Sequence, residues 1–331
     1  MSRVTIADVA KKLGVAVSTV SNVLNGKEVE RRIGEELAEK IRNEAQAMNY
    51  KPNAFAKGLR NGRSEIIGLI ISDISNPFFS NLAFHIQENA KKHGYSVIFT
   101  NTNENAEQME KMISILKSRN VDGFIIVPTE HSAKTIGQLV RDKYPVVLLD
   151  RYFKEIDTSY VVVNNYRASM EATNLLLNLK CKRIAMMLYD DTMQTMQDRR
   201  RGYIDAMTNK GLFDPALLKE VNFKRMTNDI QRIMTEFVSS DEMIDGIFFA
   251  NATLCINAMK TLASLKLEVL KDIKIACFDK SDLFQLLNIS IPSIVQPIPE
   301  MGQRAVDLLI RHINQKEIPC VHEELQANLE W

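Results

Sequence analysis

The sequence predicts a small all-α head followed by a larger α/β body built from two Rossmann-like subdomains. Three observations carry this. Up to about residue 48, apolar residues recur at helical spacing. From Ile66 onward, short continuous apolar runs alternate with helical stretches. That alternation then restarts after "PVVLLD", residues 145–150. Continuous apolar strands interleaved with helices mean parallel sheets covered on both faces.

The head opens with "TIADVAKKL", residues 5–13. Thr5 is a possible N-cap, and Ile6, Val9, Ala10 and Leu13 share one face. Gly14 ends this helix at a sharp turn. "GVAVSTVSNVLNG", residues 14–26, supplies a second helix over Val17–Asn25, stopped by Asn25-Gly26. Its apolar positions are Val17, Val20, Val23 and Leu24. The opposite face carries Ser18, Thr19, Ser21, Asn22 and Asn25, all small, polar and uncharged. Serine, threonine and valine are mediocre helix formers, so this face needs another reason to exist. A third helix follows over Glu35–Met48, with Leu37, Ile41, Ala45 and Met48 inward. Helix, glycine turn and helix make a helix-turn-helix pattern, whose second helix reaches base edges and phosphates with small donors and acceptors. An ordinary three-helix bundle has the same outline.

"NYKPNAFAKGLRNGRS", residues 49–64, joins head to body. Pro52 cannot continue the third helix. Asn53 can cap a short helix over Ala54–Arg60, with Lys57 and Arg60 basic. Gly58 and Gly62 and the short length keep that helix from standing alone in water. Leu59, apolar in a linker, fits a wedge between base pairs; a plain flexible linker is the other reading.

"VTIADVAKKLGVAVSTVSNVLNG" followed by "NYKPNAFAKGL" resembles the headpiece and hinge of the lactose/galactose-repressor (LacI/GalR) family of bacterial transcription regulators. The resemblance continues through the rest of the chain. It implies an N-terminal all-α helix-turn-helix headpiece plus an α/β periplasmic-binding-protein-like core of two Rossmann-like subdomains. It further implies Val17, Ser18 and Asn22 facing bases, and Thr5, Thr19, Ser21 and Asn25 on phosphates. Ala56 and Leu59 of the linker helix would sit at the centre of a palindromic double-stranded operator. Two positions depart from the family. Ala16 stands where many relatives cap with Ser, removing a cap worth roughly 1 kcal/mol. Asn22 stands where Arg or His is frequent. Asn pairs with adenine where Arg prefers guanine, so an A·T pair is expected there.

In the body, strand "IIGLIIS" leads through loop "DISNPFF" to a helix at 79–93. Strand "YSVIFTN" precedes helix 106–119, "DGFIIVP" precedes helix 132–143, and "PVVLLD" follows. The second round runs helix 166–179, "RIAMMLY", helix 195–210, "GIFFAN", helix 253–265 and "IKIACFD", with a final strand near "HEELQANL". Ligands of open α/β sheets bind beyond the carboxyl ends of the strands. Those ends carry Asp73 and Asn76, Asn101, Asp150 and Arg151, then Asp190, Asn251, Asp279 and Gln296. Planar polar groups suit a neutral polyhydroxylated ligand, with Phe78 or Phe79 covering an apolar face. No GxGxxG or GxxxxGK loop is present to cradle phosphates.

The family resemblance singles out Arg199 of "DRRRGY", in an Arg-x-x-Gly with Gly202, as the effector clamp. It matches Asp279 in "ACFDKSD" and Asn251 to effector-holding positions. Ala252 replaces the usual Asp beside Asn251. Lys180 and Cys181 replace the Gly and His of a packing element. The small-molecule effector is expected to be a sugar. A nucleobase or nucleoside, or a phosphorylated or acidic ligand meeting Arg151, remain alternatives, and a salt bridge is the structural reading of Arg151. A solute-binding protein with no DNA role is a more distant alternative.

The totals agree with a cytoplasmic regulator. The chain has 331 residues, 45% hydrophobic and 25% charged. Four scattered cysteines suit a reducing compartment. The charged start is not expected to act as a signal peptide, and the apolar runs are too short to cross a bilayer as helices. Residues 1–62 hold 11 Lys/Arg and 7 Asp/Glu, a +4 head on a −3 body, a charge split that suits nucleic acid at the head. No Ser/His/Asp or Cys/His grouping points to an enzyme, and no cofactor or metal is expected. The expected domains are a headpiece at 1–49, a hinge at 50–63 and a core at 64–331. Within the core, one subdomain takes about 64–164 plus 297–325 and the other about 165–296. With no heptad helix after "HEELQANL", a homodimer is expected rather than a tetramer, since paired half-sites need paired heads.

Overall fold

A computed structural model describes residues 4–50, 62–239, 242–264, 273–286, 291–315 and 318–331. Contacts divide the chain into one unit of residues 1–64 and another of residues 65–331.

In the first unit, α1 (Ile6–Leu13) starts at a capping box. The Asp8 amide donates to Thr5 Oγ1, and the Asp8 carboxylate accepts from the Thr5 amide at 2.8 Å. The Thr5 hydroxyl and amide hold the Asp8 carboxyl below its ordinary range. Gly14 then takes φ 66°, which lets its amide close on the Ala10 and Lys11 carbonyls. α2 (Val17–Leu24) begins at Ala16 with no side-chain cap. α3 (Glu35–Ala47) packs across both. Val9, Ala10, Val20, Val23, Ala38, Ile41 and Ala45 form the core, flanked by Leu13, Leu24, Leu37 and Met48. Val17 is a correction to the apolar face read from spacing. It is 46% exposed and stands outside this core.

The second unit holds two six-stranded sheets. The first takes β1 (Ile66–Ile71), β2 (Ser96–Asn101), β3 (Gly123–Ile126), β4 (Val146–Leu149), β5 (Ser159–Val163) and β11 (His322–Leu325), in the order β11-β5-β4-β3-β1-β2, all parallel. The second takes β6 (Ile184–Tyr189), β7 (Leu218–Val221), β8 (Gly246–Phe249), β9 (Lys274–Phe278), β10 (Ser293–Val295) and β12 (Asn328–Glu330). Its order is β12-β10-β9-β8-β6-β7, parallel except that β12 runs against β10. Both sheets therefore place their strand order reversal beside the first strand, β1 or β6.

The first sheet is covered by α4 (Pro77–Lys92), α5 (Ala106–Ser118), α6 (Ala133–Arg141) and the returning α11 (Ile298–Asn314). The second is covered by α7 (Asn165–Asn178), α8 (Gln194–Thr208), α9 (Met226–Ser239) and α10 (Ala252–Ser264). Central strands are buried almost throughout, as a sheet covered on both faces requires.

Four differences from the sequence reading matter for the site. The loop expected at "DISNPFF" is cut short, because Asn76 caps α4 and Pro77 takes its first turn, so Phe78 and Phe79 are helical. The single final strand expected near "HEELQANL" is two strands, one in each sheet, so the chain crosses between subdomains once more. β5, β7 and β10 have no counterpart in the sequence reading: β7 is largely polar and β10 has three residues, whereas β5, at five residues, is as long and apolar as strands the pattern predicts. α9 and α11 were not read either, although Ile230, Ile233, Met234 and Phe237 show helical spacing.

Gly202 shows why α8 needs a glycine there. A Cβ would fall against the Tyr166 carbonyl oxygen and 2.9 Å from Ser169 Cβ, because α7 and α8 pack backbone to backbone. Ser169 Oγ donates to the Arg199 carbonyl across the same contact. Arg199 is thereby fixed one turn earlier on α8.

Candidate functional site

Two places in the chain concentrate polar groups without using them for packing. The first is the outer face of α2. Val17 and Ser18 are exposed at its start, with Thr19, Ser21 and Asn22 half-buried and Asn25 exposed at its end. Asn25 Nδ2 donates back to the Ser21 carbonyl, closing the helix. Thr5 is occupied by the capping box of α1. Ala56 and Leu59 lie outside the described residues.

The second is a cleft between the two sheets of the core, at the carboxyl ends of their strands. Asp73, Asn76, Phe78, Phe79, Asp150, Arg151, Arg199, Asn251, Asp279 and Gln296 line it, all expected from the sequence. Glu104, Tyr189, Thr195, Met196, Phe223 and Thr253 line it too, and were not expected. Tyr189 ends β6 and was within reach of the strand-end rule; the other five come from loops and first helical turns whose approach to the cleft is set only by packing. Two expected residues are elsewhere. Asn101 accepts from the Ile74 amide and donates to Asn103, bracing the loops after β1 and β2. Asp190 is exposed beyond β6 and is not part of the lining.

Asp150 and Asp279, the two carboxylates nearest the arginines, arrive by the same backbone device. Asp150 follows β4 with φ 66°, and Asp279 follows β9 with φ 71°. Aspartate tolerates this left-handed conformation better than most residues, and the turn aims the side chain inward. Burial pushes the Asp150 carboxyl up to about 6, against the charges of Arg151 and Arg199. Burial also raises Asp279, opposed by Arg199 and by a 2.6 Å hydrogen bond from Gln296 Nε2.

The two arginines are held differently. Arg199 is 3% exposed; its Nε donates to Asn165 Oδ1 at 2.8 Å and its Nη1 to the Ala250 carbonyl at 2.6 Å. Its guanidinium lies 3.4 Å from the Phe278 ring centre. Burial lowers its pKa below the ordinary arginine value, the charges of Asp279 and Asp150 notwithstanding. Of its neighbours in the basic run, Arg200 pairs with Glu220 and Arg201 with Asp198, both away from the cleft. Arg151 faces Glu104 instead, Nη1 and Nη2 each 2.8 Å from one carboxylate oxygen. Burial opposes its charge, but Glu104 and Asp150 more than offset this and hold it above its ordinary value.

Two pairs of residues at the cleft and its rim span the two halves of the core. Thr195 Oγ1 donates to the Asp150 carbonyl, and Thr192 donates from both its amide and its hydroxyl to Glu130 Oε1. Asn251 caps α10 by accepting from the Leu254 amide. Gln296 Oε1 is buried with no partner, although its residue is 5% exposed and lines the cleft. A buried acceptor left this way is costly unless a donor arrives. No described helix is long and apolar enough to cross a membrane.

A helix-turn-helix head and a two-sheet α/β core with its polar cleft at the strand ends define a DNA-binding regulator of transcription. Comparison with known proteins bears this out and supplies the family. Residues 5–53 match "Bacterial regulatory proteins, lacI family", and residues 64–323 match "Periplasmic binding proteins and sugar binding domain of LacI family". The ribose operon repressor of Halalkalibacterium halodurans is 31% identical over 98% of this chain and 95% of its own. The transcriptional repressor PurR of Pasteurella multocida is 27% identical over 94% and 92%. Among solved structures, the lac repressor dimer bound to operator and an anti-inducer superposes with a TM-score of 0.85, covering 99% of this chain and 98% of that one at 20% identity. A LacI family regulator from Enterococcus faecium with bound ribose gives 0.71, over 80% and 97%, at 25% identity. The chain belongs to the LacI family of bacterial regulatory proteins.

Proposed function

We propose that the protein is a transcriptional repressor whose operator affinity is set by a neutral sugar bound in the cleft. The observation that carries the ligand class is the balance of the lining. Carboxylates and amides face the cleft, both arginines are already engaged by the protein, and Gln296 Oε1 waits for a donor. Adjacent hydroxyls supply donors to the carboxylates and to Gln296, and Phe78, Phe79 or Phe223 covers the apolar face of a sugar ring. Relatives named as ribose operon repressors, and a solved relative holding ribose, make ribose the first sugar to try.

On the DNA side, Val17, Ser18 and Asn22 read bases from the major groove, while Thr19, Ser21 and Asn25 hold phosphates; Thr5, whose amide and hydroxyl both donate to Asp8, fixes the start of α1 instead. Ala56 and Leu59 act at the centre of a palindrome, Leu59 as a wedge at a deformable step. Pairing two heads needs a homodimer. The open edge strand β2 exposes Ile98 and Phe99 on its two sides, an apolar edge that a second copy can cover. The effector acts through its different affinity for the DNA-competent and incompetent states.

The test is fluorescence anisotropy on a selected palindromic operator, at several salt concentrations, with ribose, other sugars or nucleosides added. A sugar should shift operator affinity severalfold where a nucleoside does not. A response to nucleosides alone would overturn the sugar reading and leave the family standing. Selection should return A·T opposite Asn22; invariant guanine there would overturn the role given to that residue.

A further inference from the structure

Arg151 is the one cation of the cleft that chain spacing left open to a phosphate or a carboxylate, and the structure accounts for nearly all of its donors. A guanidinium has five N–H groups. Nη1 serves Glu104 Oε2 at 2.8 Å and the Pro128 carbonyl at 3.3 Å, Nη2 serves Glu104 Oε1 at 2.8 Å, and Nε lies 3.5 Å from Asp150 Oδ2. One Nη2 hydrogen remains for a ligand. The pair is two-pointed and mostly buried, with side chains 11% and 19% exposed, so water screens it little. Glu104 sits in the loop after β2 with φ 55°, held by its own amide donating to the Ser72 carbonyl. Its carboxylate is thus presented by a fixed backbone.

We propose that Glu104 sets the charge of the ligand this cleft accepts. By gripping Arg151 at two points it denies the guanidinium to a phosphate or carboxylate, and it leaves one N–H that a neutral hydroxyl or ring oxygen can use. A planar fork shared between two anions would have to break one two-point pair to form the other. A second negative group placed here would also face Glu104 and Asp150 at close range. Glu104 is then a specificity residue, and the cleft rejects phosphorylated sugars although it contains two arginines. This rests on the cleft being the effector site, and the experiment separates the two ideas.

The probe is inorganic phosphate, measured by thermal shift and by calorimetry against chloride at matched ionic strength. Wild-type protein should give no saturable phosphate response. Glu104→Gln should give a saturable response, at least about tenfold tighter than the weakest binding the wild-type titration could detect, the scale expected when a close charge pair is released. Glu104→Asn, whose residue type tolerates the positive φ, should do the same and serves if the first variant folds poorly. Adding Arg151→Met to either should abolish the gain. Phosphate binding by wild type, no gain in either variant, or a gain that survives Arg151→Met would each overturn the proposal. Ribose is titrated into wild type in parallel. No response to ribose or other sugars, with the phosphate gain present in the variants, would sink the sugar reading and leave the role of Glu104 intact.

Discussion

The two halves of the core carry the same strand order and end their fourth strand in the same way, yet they neutralise the result differently. After β4, Asp150-Arg151 turns inward, and Arg151 is met by Glu104 from a neighbouring loop of the same half. After β9, Asp279-Lys280 makes the same turn, but Lys280 points out to Glu330 of the edge strand β12. Asp279 is faced instead by Arg199 from α8 and by Gln296. The first half therefore contains a self-neutralised pair, and the second a cation clamped by neutral acceptors. The helices that open on the cleft differ in the same sense. α4 begins with Pro77, Phe78 and Phe79, whereas α8 brings Thr195 and Arg199. One repeated backbone device thus supplies both carboxylates, and non-equivalent elements decide what each carboxylate can do.

The largest expected effect is at Arg199. Arg199→Met should lower stability by about 3 kcal/mol or more, because Asp279 loses its buried counter-charge, Asp150 loses one of its two, and Asn165 and Ala250 lose a donor. It should also abolish the effector response. Arg151→Met should cost less, since Asp150 keeps Arg199 opposite it and the released Glu104 carboxylate is less buried than Asp279. Denaturant unfolding of the two variants checks the order; equal losses would break the contrast between the halves.

Asp150 comes next. Its folded carboxyl sits near 6, above its ordinary 3.8. Between those values the native state binds more protons than the unfolded chain, so its contribution to stability falls as pH rises through that window. Asp150→Asn should therefore stabilise the free protein at neutral pH, by roughly 2 kcal/mol, while weakening effector binding. Wild-type effector affinity should fall as pH drops below 6 and Asp150 protonates. A pH-independent affinity, or a variant no more stable than wild type at pH 7, would show that Asp150 is not strained by burial.

The smallest effect concerns how the halves are held together. Thr192 and Glu130 bridge them at the rim and lie outside the residues that line the cleft. Thr192→Val should lower effector affinity about two- to fivefold by depleting the closed state, with the ranking among sugars unchanged. A changed ranking would place Thr192 on the ligand rather than between the two halves.

Much of this was legible along the chain. The N-cap at Thr5, the turn at Gly14 and the alternation of apolar strands with helices are local, and local rules found them; the reciprocal half of the cap, from Asp8, came only with the structure. Asp73, Asp150, Asn251 and Asp279 were found because strand ends converge in any such sheet. Asn101 failed the same rule because its strand is at the edge, where its amide is used to brace loops. Val17 failed a periodicity rule because an eight-residue helix buries only a narrow stripe.

The sequence by itself determined the class of protein, the two layers of parallel sheet and the stations where polar groups must emerge, since these follow from spacing and backbone conformation. Only the tertiary structure decided that Glu104 reaches Arg151 across 47 residues, that Arg199 rests on Phe278, and that the last two strands go to different sheets. Those outcomes depend on which loops the packed helices bring within hydrogen-bonding distance, a relation between distant residues that no local pattern encodes.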